Sequence, residues 1–374
     1  MSAANPTTAS TTVTHNDEEG DSSRNNGEHW KKNANKTPEA TDNADADNAD
    51  AVLVICALQP ELRSKTMSPK EAVQTTVNLM HRAAASVTEP KVDLFVLPEL
   101  SPIGYSEDTF ANYLPASPSV QQDLYEGMLH SKMQEAARAL NAYICYGTIG
   151  WHGKNTNKKR KLQTDNNDDN CQEPPSNYIN NNKDDEYDFT IRQVVVDRTG
   201  RTVATYDKLY PCDYGACAET RFFVPSPSQQ AVSFEISTFR IGLLICADQR
   251  VPTLARTLAG PTHKVDVLVQ PAAFYRDVSF VTWKSFRETR AVENSVYFVG
   301  VNYAGDKYGD TTCVPPWVDD DPSNPQSKTK SLKCEEGWLL CHIERSVLDR
   351  VRTEFPFYRI LQRETAAAAG AAEI

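Results

Sequence analysis

The chain has 374 residues, is 40% hydrophobic and carries a formal net charge of −11, with an isoelectric point near 5.2. That acidity argues against a nucleic-acid binder, which needs a basic stripe to neutralise phosphates. No apolar run approaches the roughly 20 residues that cross a bilayer, so neither a nucleic acid nor a membrane is expected as a partner.

The N-terminus begins without the basic and apolar regions of a secretory signal. Nine cysteines are scattered without metal-ligand spacing, several of them inside apolar runs (Cys56 in AVLVICALQP, Cys145 in NAYICYGTIG). There a cysteine acts as a small hydrophobe in a reducing compartment. The expectation is a cytoplasmic protein, with nucleus and organelle left open. Residues 1–50 hold almost no large apolar side chains and are expected to be a disordered polar tail. Residues 152–188, rich in Asn and Asp, read the same way, as a low-complexity insertion. Residues 51–362 are expected to form one domain, followed by an Ala-rich tail at 363–374.

Within that domain short apolar runs alternate with helical patterns. Val52–Leu58 reads as a strand, Pro69–Ser86 as a helix and Val92–Leu97 as a second strand. A helix is expected over 119–140, where Leu124, Met128, Met133, Ala137 and Leu140 recur at helical spacing. Tyr143–Ile149 is the next strand. Phe189–Val196 and Arg201–Tyr206 flank the turn Asp197–Gly200, whose glycine suits a positive φ. Strands follow at Phe239–Ile245, Val265–Val269, Ser295–Asn302, Thr312–Val314 and Gly337–Ile343. Helices are expected at Val251–Ala259, Phe280–Asn294 and Ser346–Glu354. This alternation points to an α/β layered fold with mixed sheets.

Cys246 ends the apolar run RIGLLI and stands at the carboxyl end of a strand, just before a predicted helix. α/β folds place their sites at such ends, and helix N–H groups favour a thiolate. A lone cysteine after an apolar strand is nevertheless most often a core residue. None of the seven histidines has a convincing partner motif: His15 and His29 lie in the tail and His152 opens the insertion. A Cys–His protease is therefore disfavoured. In DLFVLPELSPIGY an apolar strand delivers Glu99 to its end, where desolvation raises a carboxyl pKa toward general acid/base use. Lys208, after the next hairpin, is placed to supply positive charge. Singly, Glu99 and Lys208 are more often surface residues.

Taken together and in this order, Glu99, Lys208 and Cys246 resemble the catalytic set of the nitrilase superfamily of carbon–nitrogen hydrolases. PELSPIGY resembles the family's glutamate motif, Tyr206–Asp207–Lys208 its lysine motif, and Cys246–Pro252 with Leu254–Arg256 its cysteine elbow. VDVLVQPAAF, the helix ending Arg290–Asn294, VYFVGVN and the segment Val351–Pro356 resemble the family's later elements.

The resemblance implies a four-layer α-β-β-α sandwich with two mixed sheets, a homodimer or other homo-oligomer, and no metal or cofactor. Cys246 would attack the carbonyl of a small linear amide or carbamoyl compound. Glu99 would be its base and later the acid, and Lys208 with the N–H of Ala247 would stabilise the oxyanion. Glu219 is similar to a second family glutamate that positions Lys208 or the substrate; a purely structural carboxylate is the equal alternative. Ala247 and Ala273 are expected at the substrate, with Ala247 a smaller wall than the aromatic residue many relatives carry there. Arg250, Arg290 and Glu293 are expected to be structural. Cys212 and Cys217 receive no role, and Lys158–Lys159–Arg160–Lys161 reads as solvated charge or a nuclear-import signal. Nitrile hydrolysis by the same three residues and an idle binding scaffold are the competing functions.

Overall fold

A computed structural model of the chain describes residues 50–63, 67–114, 127–153, 187–214, 218–355 and 357–371. The tail 1–49, the stretch 154–186 with its basic run, residues 119–126 of the helix expected over 119–140, and Cys217 lie outside the described residues.

Two six-stranded sheets form the body. In the first, strands β1 (Val52–Gln59), β2 (Leu94–Val96), β3 (Tyr143–Gly153), β4 (Tyr187–Val196), β5 (Thr202–Asp207) and β12 (Gly337–Glu344) run in the order β12-β1-β2-β3-β4-β5. In the second, β6 (Ser233–Ile236), β7 (Phe239–Leu243), β8 (Val267–Pro271), β9 (Tyr297–Val301), β10 (Thr312–Val314) and β11 (Lys330–Ser331) run β11-β10-β9-β8-β7-β6. From the β12 edge and from the β6 edge the pairings follow one pattern: antiparallel, parallel, parallel, antiparallel, antiparallel. Strands buried on both faces read as continuous apolar runs, and β1, β2, β8 and β9 do so. Side chains of both sheets and of the covering helices join one core. The expected four-layer α-β-β-α sandwich is what the chain forms.

The first helix, Pro69–Ala85, starts on a capping box between Ser68 and Glu71 with proline in its first turn, so its orphan N–H groups are met locally. The helix Ser131–Leu140 packs beside it, and Pro252–Ala259 and Val281–Asn294 belong to the second sheet's side.

Several boundaries differ from expectation. β3 and β4 run further than predicted, pairing His152 with Asp188 and Gly153 with Tyr187, so the ends of the expected insertion are strand. The Ala-rich tail is helical through Ala371, continuing a helix that starts at Phe357. Alanine is the strongest helix former, and Leu361 is buried while Gln362 donates to the Ala259 carbonyl at 2.8 Å. The short strands β6 and β11 and the helix Glu107–Tyr113 carry too few periodic residues to have been read from sequence.

Asp266, at the entry to β8, ties the helix Arg345–Glu354 to the second sheet. Its carboxylate meets Arg345 at 2.9 Å and Arg352 at 2.8 Å and accepts the Arg240 N–H at 3.0 Å. These partners hold the carboxyl below its usual range, outweighing the opposing effect of burial. Charged hydrogen bonds of this kind contribute roughly 1.5–3 kcal/mol. Asp266→Ala is expected to lower stability by about 2–3 kcal/mol, measured as a shift of the urea midpoint. An unchanged midpoint would contradict this account of the helix.

Candidate active site

Four strands of the two sheets end on one small region, and each delivers a side chain or N–H to it. β2 ends at Val96, and Glu99 follows in the next turn, where Leu100 has φ 53°. That turn presses on β3: a Cβ at Gly147 would lie 2.3 Å from the Leu100 nitrogen, so only glycine fits there. The Tyr303 hydroxyl donates to the Glu99 carbonyl at 2.8 Å and the Ala273 N–H to its Oε2 at 3.1 Å. Lys208 is the first residue after β5, fixed by its N–H to the Ile191 carbonyl at 2.8 Å.

Lys208 Nζ lies 2.7 Å from Glu99 Oε1 and 2.8 and 2.9 Å from the two Glu219 oxygens. All three side chains are fully buried. Glu219 also accepts the Cys212 N–H at 2.6 Å and a short hydrogen bond from the Tyr105 hydroxyl. Its carboxylate is therefore turned to Lys208, and it does not line the cleft described below.

Burial pulls the Lys208 pKa down, but Glu219 and Glu99 pull it up and prevail, leaving it well above the ordinary value. Burial pushes Glu99 up to about 7; Lys208 opposes that rise and Glu219 adds to it. The cluster thus holds one fixed cation and a carboxyl close to equal protonation near neutral pH.

Cys246 lies three residues beyond β7 and opens a 3-10 turn, Cys246–Arg250. The α-helix begins at Pro252, one residue after the expected start. The N–H groups nearest the thiol therefore belong to the tight turn. Cys246 has φ 43°, a left-handed conformation costly for a non-glycine residue. Such strain persists only where the surroundings over-determine it, and two side chains do so here. Gln270 donates to the Cys246 carbonyl at 2.7 Å. Asp248 accepts the Ile245 N–H at 2.9 Å, the Tyr206 hydroxyl at 2.7 Å and the Tyr210 N–H at 3.0 Å. Because Tyr206 and Tyr210 flank Lys208, Asp248 locks the cysteine turn to the lysine segment. Burial raises the Asp248 pKa to about 6.

Burial and the Glu99 charge push the Cys246 thiol well above its usual range, with Lys208 opposing. At rest it is a protonated thiol that needs a base at the moment of attack.

Above this cluster is a cleft of about 360 Å³, partly open to solvent, lined by Cys246, Ala247, Ala273, Cys212, Tyr214, Phe274, Tyr275, Asp277 and Ser279. Ala247 and Ala273 thus reach the cleft wall, while Glu99 and Lys208 lie buried beneath it. Among the described residues no histidine lines the cleft. Arg250 stacks on Tyr214, Phe274 and Phe286 and donates to Thr282. Arg290 binds Glu293 and the Gln249 carbonyl. Among the described residues no three His, Cys, Asp or Glu side chains converge to hold a metal ion, and no helix is long and apolar enough to cross a membrane.

Asp248, Gln270, Tyr303 and Asp277 were missed in the sequence. Asp248 alone carried a signal, being two residues from Cys246 inside the elbow motif. The others reach the site only through tertiary contacts.

The family model described as carbon-nitrogen hydrolase matches residues 55–330. Over 181 residues the chain is 29% identical to deaminated glutathione amidase of Bos taurus, covering 44% of this chain and 51% of that protein. Over 169 residues it is 27% identical to the omega-amidase NIT2 of Homo sapiens, covering 43% and 58%. The chain thus spans about half the length of the curated relatives it matches. Among solved structures, Saccharomyces cerevisiae Nit3, a member of branch 10 of the nitrilase superfamily, aligns with TM-score 0.59 and 17% identity over 82% of this chain and 94% of that one. An amidase from Nesterenkonia sp. aligns with TM-score 0.57 and 19% identity over 81% and 94%. At these identities the structural likeness concerns the fold. With the family match covering well over half its length, the chain belongs to the carbon-nitrogen hydrolase family.

Proposed function

We propose that the protein hydrolyses a small linear amide or carbamoyl compound through a thioester on Cys246. Glu99 takes the thiol proton as sulfur attacks the carbonyl carbon, forming a tetrahedral oxyanion. Lys208 and the Ala247 N–H stabilise that oxygen. Collapse breaks the C–N bond while Glu99 returns the proton to the leaving nitrogen, releasing ammonia or an amine. Glu99 then takes a proton from water, whose oxygen attacks the thioester, and returns it to the departing sulfur. Glu219 holds Lys208 in place throughout.

One observation carries this proposal: a fully buried Glu99–Lys208–Glu219 cluster directly associated with a strained cysteine turn whose thiol lines a cleft. A structural core has no use for two carboxylates and an ammonium in one dry pocket, because their desolvation seldom yields net stability. Amides rank before nitriles because the relatives named above are amidases. A homodimer, expected from the family resemblance, belongs to the same proposal. So does a cytoplasmic setting, supported by the free thiols of Cys56, Cys145, Cys246, Cys313, Cys334 and Cys341 among the described residues.

The test is a panel of small amides, carbamoyl amines and nitriles, followed by ammonia or amine release and intact mass. Turnover of amides with a trapped acyl adduct on Cys246 is expected. Turnover of nitriles alone would move the reaction to that class, and neither turnover nor adduct would leave a binding scaffold.

The Glu99 shift also sets a pH dependence. A base must be deprotonated to act, and a carboxyl raised to about 7 is already largely protonated at pH 6. The value of kcat/KM is therefore expected to fall about tenfold for each pH unit below that pKa. A profile flat between pH 5 and 8 would remove Glu99 from the base role.

A further inference from the structure

Beyond Pro271 and Val301 the parallel ladder of β8 and β9 ends, and its last bond runs from the Ala272 N–H to the Val301 carbonyl at 2.7 Å. The chain that follows β8 stays buried through Phe274, so its backbone groups need partners that the ladder no longer supplies. Asn302, the residue after β9, supplies them from its side chain. Its Oδ1 accepts the Phe274 N–H at 2.9 Å, and its Nδ2 donates to the Phe274 carbonyl at 3.0 Å and to the Gly309 carbonyl at 2.9 Å. One N–H and two carbonyls around the amide leave a single way to place its oxygen and nitrogen. Asn302 is itself fully buried and anchored. Its N–H donates to Thr311 Oγ1 at 3.0 Å, and the Thr311 N–H donates at 2.9 Å to Gln59 Oε1, on β1 of the other sheet.

We propose that Asn302 is a positioning residue for the base. Ala273 lies between two pinned residues, Ala272 on the Val301 carbonyl and Phe274 on the Asn302 amide. Its own N–H is thereby aimed at Glu99 Oε2, 3.1 Å away. That N–H favours the charged carboxylate, the form that takes the thiol proton. The other groups facing Glu99 are Lys208, Glu219, the Cys246 thiol and the Tyr303 hydroxyl. Among the described residues none of these four hydrogen-bonds the Asn302 side chain, so a change at Asn302 acts on Glu99 through Ala273. The effect on turnover rests on the amidase function proposed above; the aim of the Ala273 N–H does not.

The test compares the full chain with Asn302→Ala and Thr311→Val across pH. Two rates are followed: kcat/KM on a small amide, and alkylation of Cys246 by iodoacetamide, scored by mass on the Cys246 peptide. Both need an ionised Glu99, and the second needs no turnover. In Asn302→Ala the acid limb of both is expected to move up by about one pH unit. Its deficit against the parent should then be about tenfold near pH 6 and nearly gone near pH 9. Thr311→Val also loses a buried hydrogen bond to Asn302 but keeps the amide clamp, so its limb is expected to stay with the parent's. A limb unmoved in Asn302→Ala, or moved equally in both variants, would overturn the positioning role. An alkylation limb that moves as expected while no amide is hydrolysed would remove the amidase function and leave the role standing. Should Asn302→Ala not fold, the parent decides by NMR. The Ala273 amide nitrogen must shift as Glu99 titrates, and the Phe274 amide must resist hydrogen exchange as the β8 amides do. A still Ala273 signal or a freely exchanging Phe274 amide would overturn the assignment.

Discussion

Lys208→Met is expected to cost about 3–5 kcal/mol of folding stability, the range seen when one partner of a buried ion pair is removed. The Lys208 ammonium has three carboxylate oxygens within 2.9 Å, and neither it nor its partners are exposed. Methionine fills much of the space and removes the charge, so Glu99 and Glu219 are left as two buried like charges. They can remain buried only by taking up protons, which raises their folded pKa above the unfolded one. A group of that kind contributes stability below its unfolded pKa and loses it as pH rises through the folded value. The deficit of Lys208→Met against the parent should therefore be largest near pH 8 and shrink toward pH 5. Urea denaturation of both proteins at the two pH values checks this. A deficit below about 1 kcal/mol at pH 8 would mean the cluster is solvated and the geometry above does not hold.

Cys246→Ala should reduce kcat more than about 10⁴-fold, as expected when the attacking atom is removed from a group of residues that act together. Stability should barely change, because only a thiol is lost from a residue at the edge of a cleft. The backbone offers a second check. Alanine keeps the penalty of the left-handed conformation at φ 43°, whereas Cys246→Gly relieves roughly 1 kcal/mol of it. The glycine variant should thus be as inactive as the alanine variant yet melt at the same temperature or higher. Steady-state rates, intact mass after substrate exposure and thermal melts separate the two effects. Activity surviving in Cys246→Ala would remove the thioester from the mechanism.

What the sequence made legible were the strands and what stands at their ends. A continuous apolar run such as RIGLLI has one stable use in an α/β chain, and the residue after it lands at a carboxyl end. Glu99, Lys208 and Cys246 were found that way, and their order supplied the rest. The network around them was not legible, because its bonds join distant positions. Tyr303 reaches Glu99 across 204 residues, Tyr105 reaches Glu219 across 114, and Asp248 meets Tyr206 across 42. Local periodicity holds no information at those separations. The helix expected from Val251 begins at Pro252, but the 3-10 turn Cys246–Arg250 before it was not read, because five residues with no repeat carry no periodic signal. The Ala-rich C-terminus was set apart as a tail, although helix propensity alone was enough to extend it as a helix.

The two sheets also divide the chemistry between them. Glu99 and Lys208 follow strands of the first sheet; Cys246 and the Ala273 N–H follow strands of the second. Neither sheet alone carries both the Cys246 thiol and the Glu99 carboxyl. In folding terms the proposed site would be a product of docking: a chain with only one sheet formed would lack the pairing of Cys246 with Glu99, and a newly made chain would acquire it at the step that seals the core. Any motion that parts the sheets by an ångström or two would switch off the base before it exposed the core, so catalysis would register loosening that bulk probes of secondary structure miss.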